Sequence, residues 1–399
     1  MRILVVGAGP GDPGLLTGQA KEAIRKGSVV LAPVRLAESL REMNPEVMPV
    51  DLKEMAEEIS RLDAGVEPVV VASGDVGFYS ISETLAARFP GARIRRINGV
   101  SSLQYLAAAL GISYENVLTI STHGRSTPVA PACCYQDRVF VLTGGTRGAG
   151  KVLEELLEAG LGHVSVSVGE NLGMPEQRIR RGTPEQLLEF KIPPLAVLLV
   201  ENPSPVSSHQ RLLDGDLVRG PVPMSKQEIR DLALSALEIG PGDVVYDIGA
   251  GTGSVAIGAA RRASRQWVYA IEKNPEALTL IRQNREKMGA YNVRVVEGSA
   301  PAALQGLPAP DRVFLGGSGR QMPEIMEALI HKNPGVRVVA AAVTLETLQE
   351  SLELFDRYRM NPQVSSISVA RAETVGGYRM MKAQNPVWLV TGEGARDEK

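Results

Sequence analysis

Cysteine is almost missing from this sequence. The only two, Cys133 and Cys134, are adjacent, and neighbours in sequence are poorly placed to bridge each other. With no C-x-x-C spacing, neither a disulfide scaffold nor a dithiol redox centre is expected. A structural thiol pair in a reducing compartment fits better. Histidine is also sparse: His123, His163, His209 and His331 are scattered and show no zinc-ligand spacing, so no metal site is expected. Aromatic residues make up 4% of the chain and the net charge is −2. Both argue against a nucleic-acid binder working through bulk electrostatics and base stacking, while leaving room for a local basic pocket. No apolar run reaches membrane-spanning length, and the start of the chain lacks the pattern of a signal peptide. The expectation is a cytoplasmic protein without membrane contact.

What is present is the ordinary material of globular domains. The chain has 399 residues, 44% hydrophobic and 22% charged, and this length suggests about two domains. Up to residue 200, apolar runs predict strands at Ile3–Val6, Ser28–Leu31, Pro68–Ala72, Arg93–Ile97, Val139–Leu142, Val164–Val168 and Leu195–Val200. Helical patterns such as Ser80–Arg88, Val100–Leu110 and Gly150–Leu157 lie between them. The Pro-, Ser- and Gly-rich stretch ENPSPVSSHQRLLDGDLVRGPVPMSK then breaks the regular pattern. We divide the chain into residues 1–205, a linker 206–218, and residues 219–399. The second series of strands includes DVVYDIG, WVYAIEK, VRVVEG, RVFLGG, VRVVAAAV, SISVARAE and PVWLVTG. Strands alternating with helices imply an α/β fold with a mainly parallel sheet and ligands at the carboxyl ends of its strands.

The chain opens MRILVVGAGPGDPGLLT, which looks like a strand entering a dinucleotide loop. The fingerprint needs G-x-G-x-x-G running directly into a helix. Gly7 and Gly9 fit, but Asp12 stands at the third position, and Pro10 and Pro13 interrupt the helix start. Proline removes an N–H donor and a carboxylate repels pyrophosphate, so a plain dinucleotide loop is not expected.

The sharper motif is DVVYDIGAGTGSVAI, residues 243–257. Ser254 occupies the third-glycine position, and the pattern is D-x-G-x-G-x-G, through Asp247, Gly249, Ala250, Gly251, Thr252 and Gly253. It suits a ligand with no pyrophosphate that joins adenosine to an amino acid through a sulfonium, S-adenosylmethionine. The glycines admit close backbone approach, and Asp247 can engage the ammonium end directly or through water. Glu272, 25 residues further on at the end of WVYAIEK, can accept the ribose hydroxyls. Ser299 and Ala300 lie at the end of a third strand, where adenine is expected. Read alone, the loop would be a structural glycine turn; the order and spacing of all three features favour the cofactor.

The resemblances become specific at this point. VPMSKQEIRDLAL (222–234), DIGAGTGSVAIGAA (247–260), FLGGSGRQMPEIMEAL (314–329), AVTLETL (342–348) and NPVW (385–388) together resemble the C15-methylating, decarboxylating family of corrin synthesis, with a Rossmann-like class I methyltransferase fold. The resemblance implies that Ser225 belongs to a segment folded over the cofactor. Gly316, Gly317, Ser318 and Gly319 would lie beside the substrate, with Ser299 and Ala341 departing from the family pattern. The opening segment resembles the first motif of the tetrapyrrole methylase family, a fold of two α/β subdomains, and so do ASGDVGFYSI (72–81), INGVSSLQYLAAALGI (97–112), STHGR (121–125) and FVLTGG (140–145). Pro10, Gly74, Asp75, Val76, Ser101 and Ser102 would then hold a second S-adenosylmethionine. Val76 and Asn98 replace prolines usual in that family.

Arg125 suits a substrate carboxylate because a guanidinium pairs bidentately. His123 is read equally well as a substrate contact or as a local hydrogen-bonder. Arg379 and Lys382 could serve the second site, with a solvated face as their default reading.

Both halves would move a methyl group from a sulfonium to a ring carbon of a tetrapyrrole, largely by positioning and desolvation. The combination implies S-adenosylmethionine-dependent methylation of a precorrin or cobalt-precorrin at C5 and C15, with decarboxylation of the C12 acetate, in corrin-ring (cobalamin) biosynthesis. No individual catalytic acid or base is legible. Resemblance also implies a homo-oligomer. The alternatives are a fused small-molecule or RNA methyltransferase of another pathway, and a non-catalytic tetrapyrrole-binding scaffold.

Overall fold

The computed structural model describes residues 1–63, 65–124 and 126–395. Its first sheet is formed by β1 (Arg2–Gly7), β2 (Val30–Pro33), β3 (Val47–Val50), β4 (Val69–Ala72) and β5 (Arg93–Ile97). All pairs are parallel, in the order β3-β2-β4-β1-β5. The unbroken apolar run of β4 is buried along its length, as a parallel strand covered on both faces requires. Ala20, Ile24, Leu36 and Leu40 cover one face, and Met55, Ile59 and Leu85 the other. The two opening motifs follow directly from the carboxyl ends of β1 and β4, and the third from β5.

The second sheet contains β6 (Leu118–Ser121), β7 (Arg138–Leu142), β8 (Ser165–Glu170), β9 (Arg178–Gly182) and β10 (Ala196–Glu201), ordered β6-β7-β10-β8-β9. Here the expectation of a mainly parallel sheet needs correction. Only β6 and β7 run parallel, while β7–β10, β10–β8 and β8–β9 are antiparallel. The sequence reading missed that β8 returns directly as β9 through a turn with Asn171 at φ 46° and Gly173 at φ 73°.

The C-terminal strands are β11 (Val245–Ile248), β12 (Val268–Glu272), β13 (Val293–Glu297), β14 (Arg312–Leu315), β15 (Arg337–Ala342), β16 (Gln363–Ile367), β17 (Ala370–Val375), β18 (Tyr378–Ala383) and β19 (Val387–Glu393). Seven of them form a sheet in the order β13-β12-β11-β14-β15-β19-β16, parallel as far as β15 and antiparallel for β19 and β16. Strand order reverses direction between β11 and β14, which opens the crevice where ligands bind in such sheets. The stretch SISVARAE, expected as one strand, is divided between β16 and β17. β17 and β18 form a separate hairpin turned by Gly376 and Gly377 at φ 57° and 89°.

Contacts group Met1–Ser126, Arg138–Glu154 and Gly162–Glu201 in one unit, and Thr127–Asp137, Glu155–Leu161 and Asn202–Lys399 in another. Cys133 and Cys134 are buried and unbridged, and burial pushes the Cys134 thiol up to about 12. Among the described residues no helix is long and apolar enough to cross a membrane.

Candidate functional site

In the first unit three glycines bring three motif loops into backbone contact. A Cβ on Gly7 would lie 2.6 Å from the Gly99 nitrogen and 2.7 Å from the Gly74 carbonyl oxygen. Gly9 and Gly74 exchange hydrogen bonds, with N–H to carbonyl distances of 3.1 and 2.8 Å. The Asp75 carboxylate accepts from the Gly77 N–H at 2.8 Å and the Gly99 N–H at 3.1 Å, binding its own loop to the next. Val76 is buried, and its carbonyl accepts from the Ser82 hydroxyl at 2.8 Å. Ser101 is the N-cap of the helix Ser102–Leu110 and forms a capping box with Gln104. Asp12 accepts from the Gly14 N–H at 2.7 Å, which gives the acidic, proline-bounded turn a local structural role. Pro10 is buried and faces a residue the sequence reading did not single out: Arg35 donates to the Pro10 carbonyl at 3.5 Å and to the Ser73 hydroxyl.

His123 lies on the second sheet's side. Its ring covers Gly144, where any side chain would collide with it, so the STHGR and FVLTGG motifs meet there. Arg125 lies outside the described residues.

In the second unit Gly249, Gly251 and Gly253 all adopt left-handed conformations, at φ 75°, 55° and 79°, which favour glycine. Space also demands two of them. A Cβ on Gly249 would sit 2.8 Å from the backbone of Gly317, and one on Gly251 would sit 3.1 Å from the Pro223 carbonyl oxygen. The loop therefore touches both the Gly316–Gly319 segment and the stretch leading to Ser225. Ser225 gives its carbonyl to Arg230 at 3.3 Å. Ala250 and Thr252 are buried within the loop.

Asp247 is 1% exposed. Its Oδ2 accepts from the Ala256 N–H at 2.8 Å, while Oδ1 is buried without a partner. Desolvation raises its pKa to about 7, against the Ala256 hydrogen bond and with some help from the charge of Glu272. Glu272 is more heavily engaged. Oε1 accepts from the Lys273 and Asn274 N–H groups at 2.8 and 2.9 Å, and Oε2 accepts from Gly251 at 2.9 Å. A carboxylate offers about four acceptor positions, so two ligand hydroxyls could be accepted only if one backbone N–H gave way.

A cavity of about 60 Å³ is lined by Glu272, Lys273, Ser299, Ala300, Ser318 and Gly319, among others. It is far smaller than the roughly 300–1,000 Å³ of a site enclosing a drug-sized ligand, so it holds at most part of such a ligand. Glu272, Ser299, Ala300, Gly317, Ser318 and Gly319, expected from sequence, meet there; Lys273 was not foreseen. Arg379 does not join them: it is exposed on β18, and Lys382 pairs with Glu373 at 3.1 Å. Ala341 is partly buried against the core.

Comparison with known proteins matches residues 2–188 to the tetrapyrrole (corrin/porphyrin) methylases and residues 219–392 to the precorrin methyltransferase domain. A Sinorhizobium sp. precorrin-6Y C(5,15)-methyltransferase [decarboxylating] is 33% identical over 396 residues, 96% of this chain and 94% of that protein. A probable cobalt-precorrin-6B C(15)-methyltransferase (decarboxylating) of Pyrobaculum calidifontis is 42% identical over 174 residues, 43% of this chain and 88% of that one. A crystal structure of precorrin-6Y C5,15-methyltransferase from Geobacter metallireducens is 36% identical, covering 46% of this chain and 96% of that chain, with a TM-score of 0.44.

Proposed function

From the premise that the chain belongs to the precorrin-6Y C5,15-methyltransferase (decarboxylating) family, we propose that it methylates a precorrin or cobalt-precorrin at C5 and C15 and removes the C12 acetate carboxyl, in corrin-ring biosynthesis. The observation that carries this reading is similarity along nearly the whole length of both this chain and a relative of that name. Residues 1–205 take the C5 methylation, and residues 219–399, beyond the linker 206–218, take the C15 methylation and the decarboxylation.

S-adenosylmethionine, when bound, supplies a methyl group on a sulfonium leaving group. The residues of the second unit fit it: the buried Asp247 Oδ1 lacks a partner and suits the ligand's ammonium end, and the left-handed glycine turns draw the loop, the Gly316–Gly319 segment and the stretch before Ser225 together. Asp247, the loop Gly249–Gly253, Glu272, Ser299, Ala300 and Ser225 hold the cofactor there, and Gly316–Gly319 border the tetrapyrrole. In the first unit Pro10, Gly74, Asp75, Val76, Ser101 and Ser102 hold a second molecule, with His123 and Arg125 toward the substrate. The protein's work in both is to orient the reactants and shield them from water. For the decarboxylation, the conjugated ring of the substrate is itself the electron sink. We also propose that the enzyme works in the cytoplasm as a homo-oligomer.

The test replaces Glu272 with alanine and follows both methylations by product mass. Loss of C15 methylation with C5 methylation retained is the expected outcome. Unimpaired C15 methylation would overturn the site assignment.

A further inference from the structure

Charged side chains around the two sets of motif loops are mostly satisfied. Asp75 and Glu272 are taken up by backbone N–H groups, and Asp12 by its own turn. Two cations differ. Arg35, two residues beyond the end of β2, is fixed by the Pro10 carbonyl and the Ser73 hydroxyl, one from each of two motif loops. Among the described residues it has no carboxylate partner. A guanidinium carries five N–H donors in a rigid fork, and the residue remains exposed beside the two motif loops, so donors are left over. Lys273, one residue beyond the end of β12, lines the cavity beside Glu272. Its Nζ lies 3.8 Å from the position of a Cβ on Gly319. It too forms no ion pair among the described residues, since the neighbouring carboxylate is committed to amides.

We propose that Arg35 and Lys273 are substrate anchors, one in each unit, that grip carboxylate side chains of the tetrapyrrole. This rests on the function proposed above. The chain as a whole is nearly neutral and offers an acidic substrate no long-range attraction, so affinity for it has to come from local, unneutralised cations near the glycine loops. Lys273 must hold a carboxylate that is retained. An ion pair with the departing one would stabilise its charge in the ground state and oppose the loss of carbon dioxide.

The experiment uses the full chain. Arg35→Gln keeps hydrogen-bond donors for the Pro10 and Ser73 contacts but removes the charge; Lys273→Met removes the charge in the other unit. Steady-state C5 and C15 methylation are followed by product mass, and the affinity for S-adenosylhomocysteine by calorimetry. R35Q is expected to raise KM for C5 methylation, and K273M for C15 methylation, by about tenfold to a hundredfold, as loss of a charge-assisted contact implies. Each leaves kcat and cofactor-product affinity within about twofold, and Lys273→Arg recovers most of the KM. Unchanged KM values with normal S-adenosylhomocysteine binding would overturn the anchors and leave the functional reading intact. Cofactor-product affinity falling in step with KM would also overturn them, by showing that the cations serve the cofactor. A wild-type chain that neither binds S-adenosylhomocysteine nor methylates would refute the functional reading and the anchors together.

Discussion

Asp247 carries the sharpest conflict between charge and fold. Its carboxyl is buried with one oxygen unpartnered, and desolvation raises its pKa from 3.8 to about 7. The native protein therefore keeps a proton that the unfolded chain releases, so this group makes stability fall as pH rises from roughly 4 to 7 and adds no further loss above that window. Asp247→Asn keeps the shape and the acceptor for Ala256 without the charge. Its melting temperature is expected to match wild type near pH 4 and to exceed it above pH 7, by the equivalent of up to about 4 kcal/mol. A melting difference independent of pH would refute this. The same substitution is expected to weaken cofactor binding in the second unit, since a cationic ligand loses its counter-charge. Asp247 and Glu272 were legible in the sequence because D-x-G-x-G-x-G and an acid at the next strand end tie residue types to one ligand's chemistry. Arg35 and Lys273 were not, because an isolated cation in a sequence gives no sign of what it faces. Asp75 was legible as a motif residue, but its side-chain role in joining two loops was not.

At the level of elements, the glycine turn after β11 depends on contact as well as conformation. Gly249→Ala would place a methyl group 2.8 Å from the Gly317 backbone at a positive φ. We expect it to destabilise the second unit by about 2–3 kcal/mol and to displace the Gly316–Gly319 segment. Thermal melting and cofactor-product binding measure this, and a variant equal to wild type in both would contradict the close approach. The same contact logic explains which strands could be read in advance. β1, β2, β4, β7, β8 and β10 have apolar runs because they are buried. β3, β6 and β9, all at sheet edges, escaped notice. β3 buries only its two end residues, and β9 is the arginine-rich Arg178–Gly182, so neither presents a full apolar face for periodicity to reveal. The β17–β18 hairpin is almost wholly exposed; the start of β17 lay within the expected strand SISVARAE, and β18 was missed for the same reason.

On the scale of the whole molecule, a stretch matching the tetrapyrrole methylases, residues 2–188, precedes one matching the precorrin methyltransferase domain, residues 219–392. Sedimentation at working concentration is expected to show a species heavier than one chain, and a monomer would refute the proposed self-association. The central claim is that each half holds its own S-adenosylmethionine. Calorimetric titration of S-adenosylhomocysteine into the full chain tests it most directly. The account expects two sites per chain in the wild type and one in the Glu272→Ala variant. A single site in the wild type, abolished by that substitution, would contradict it.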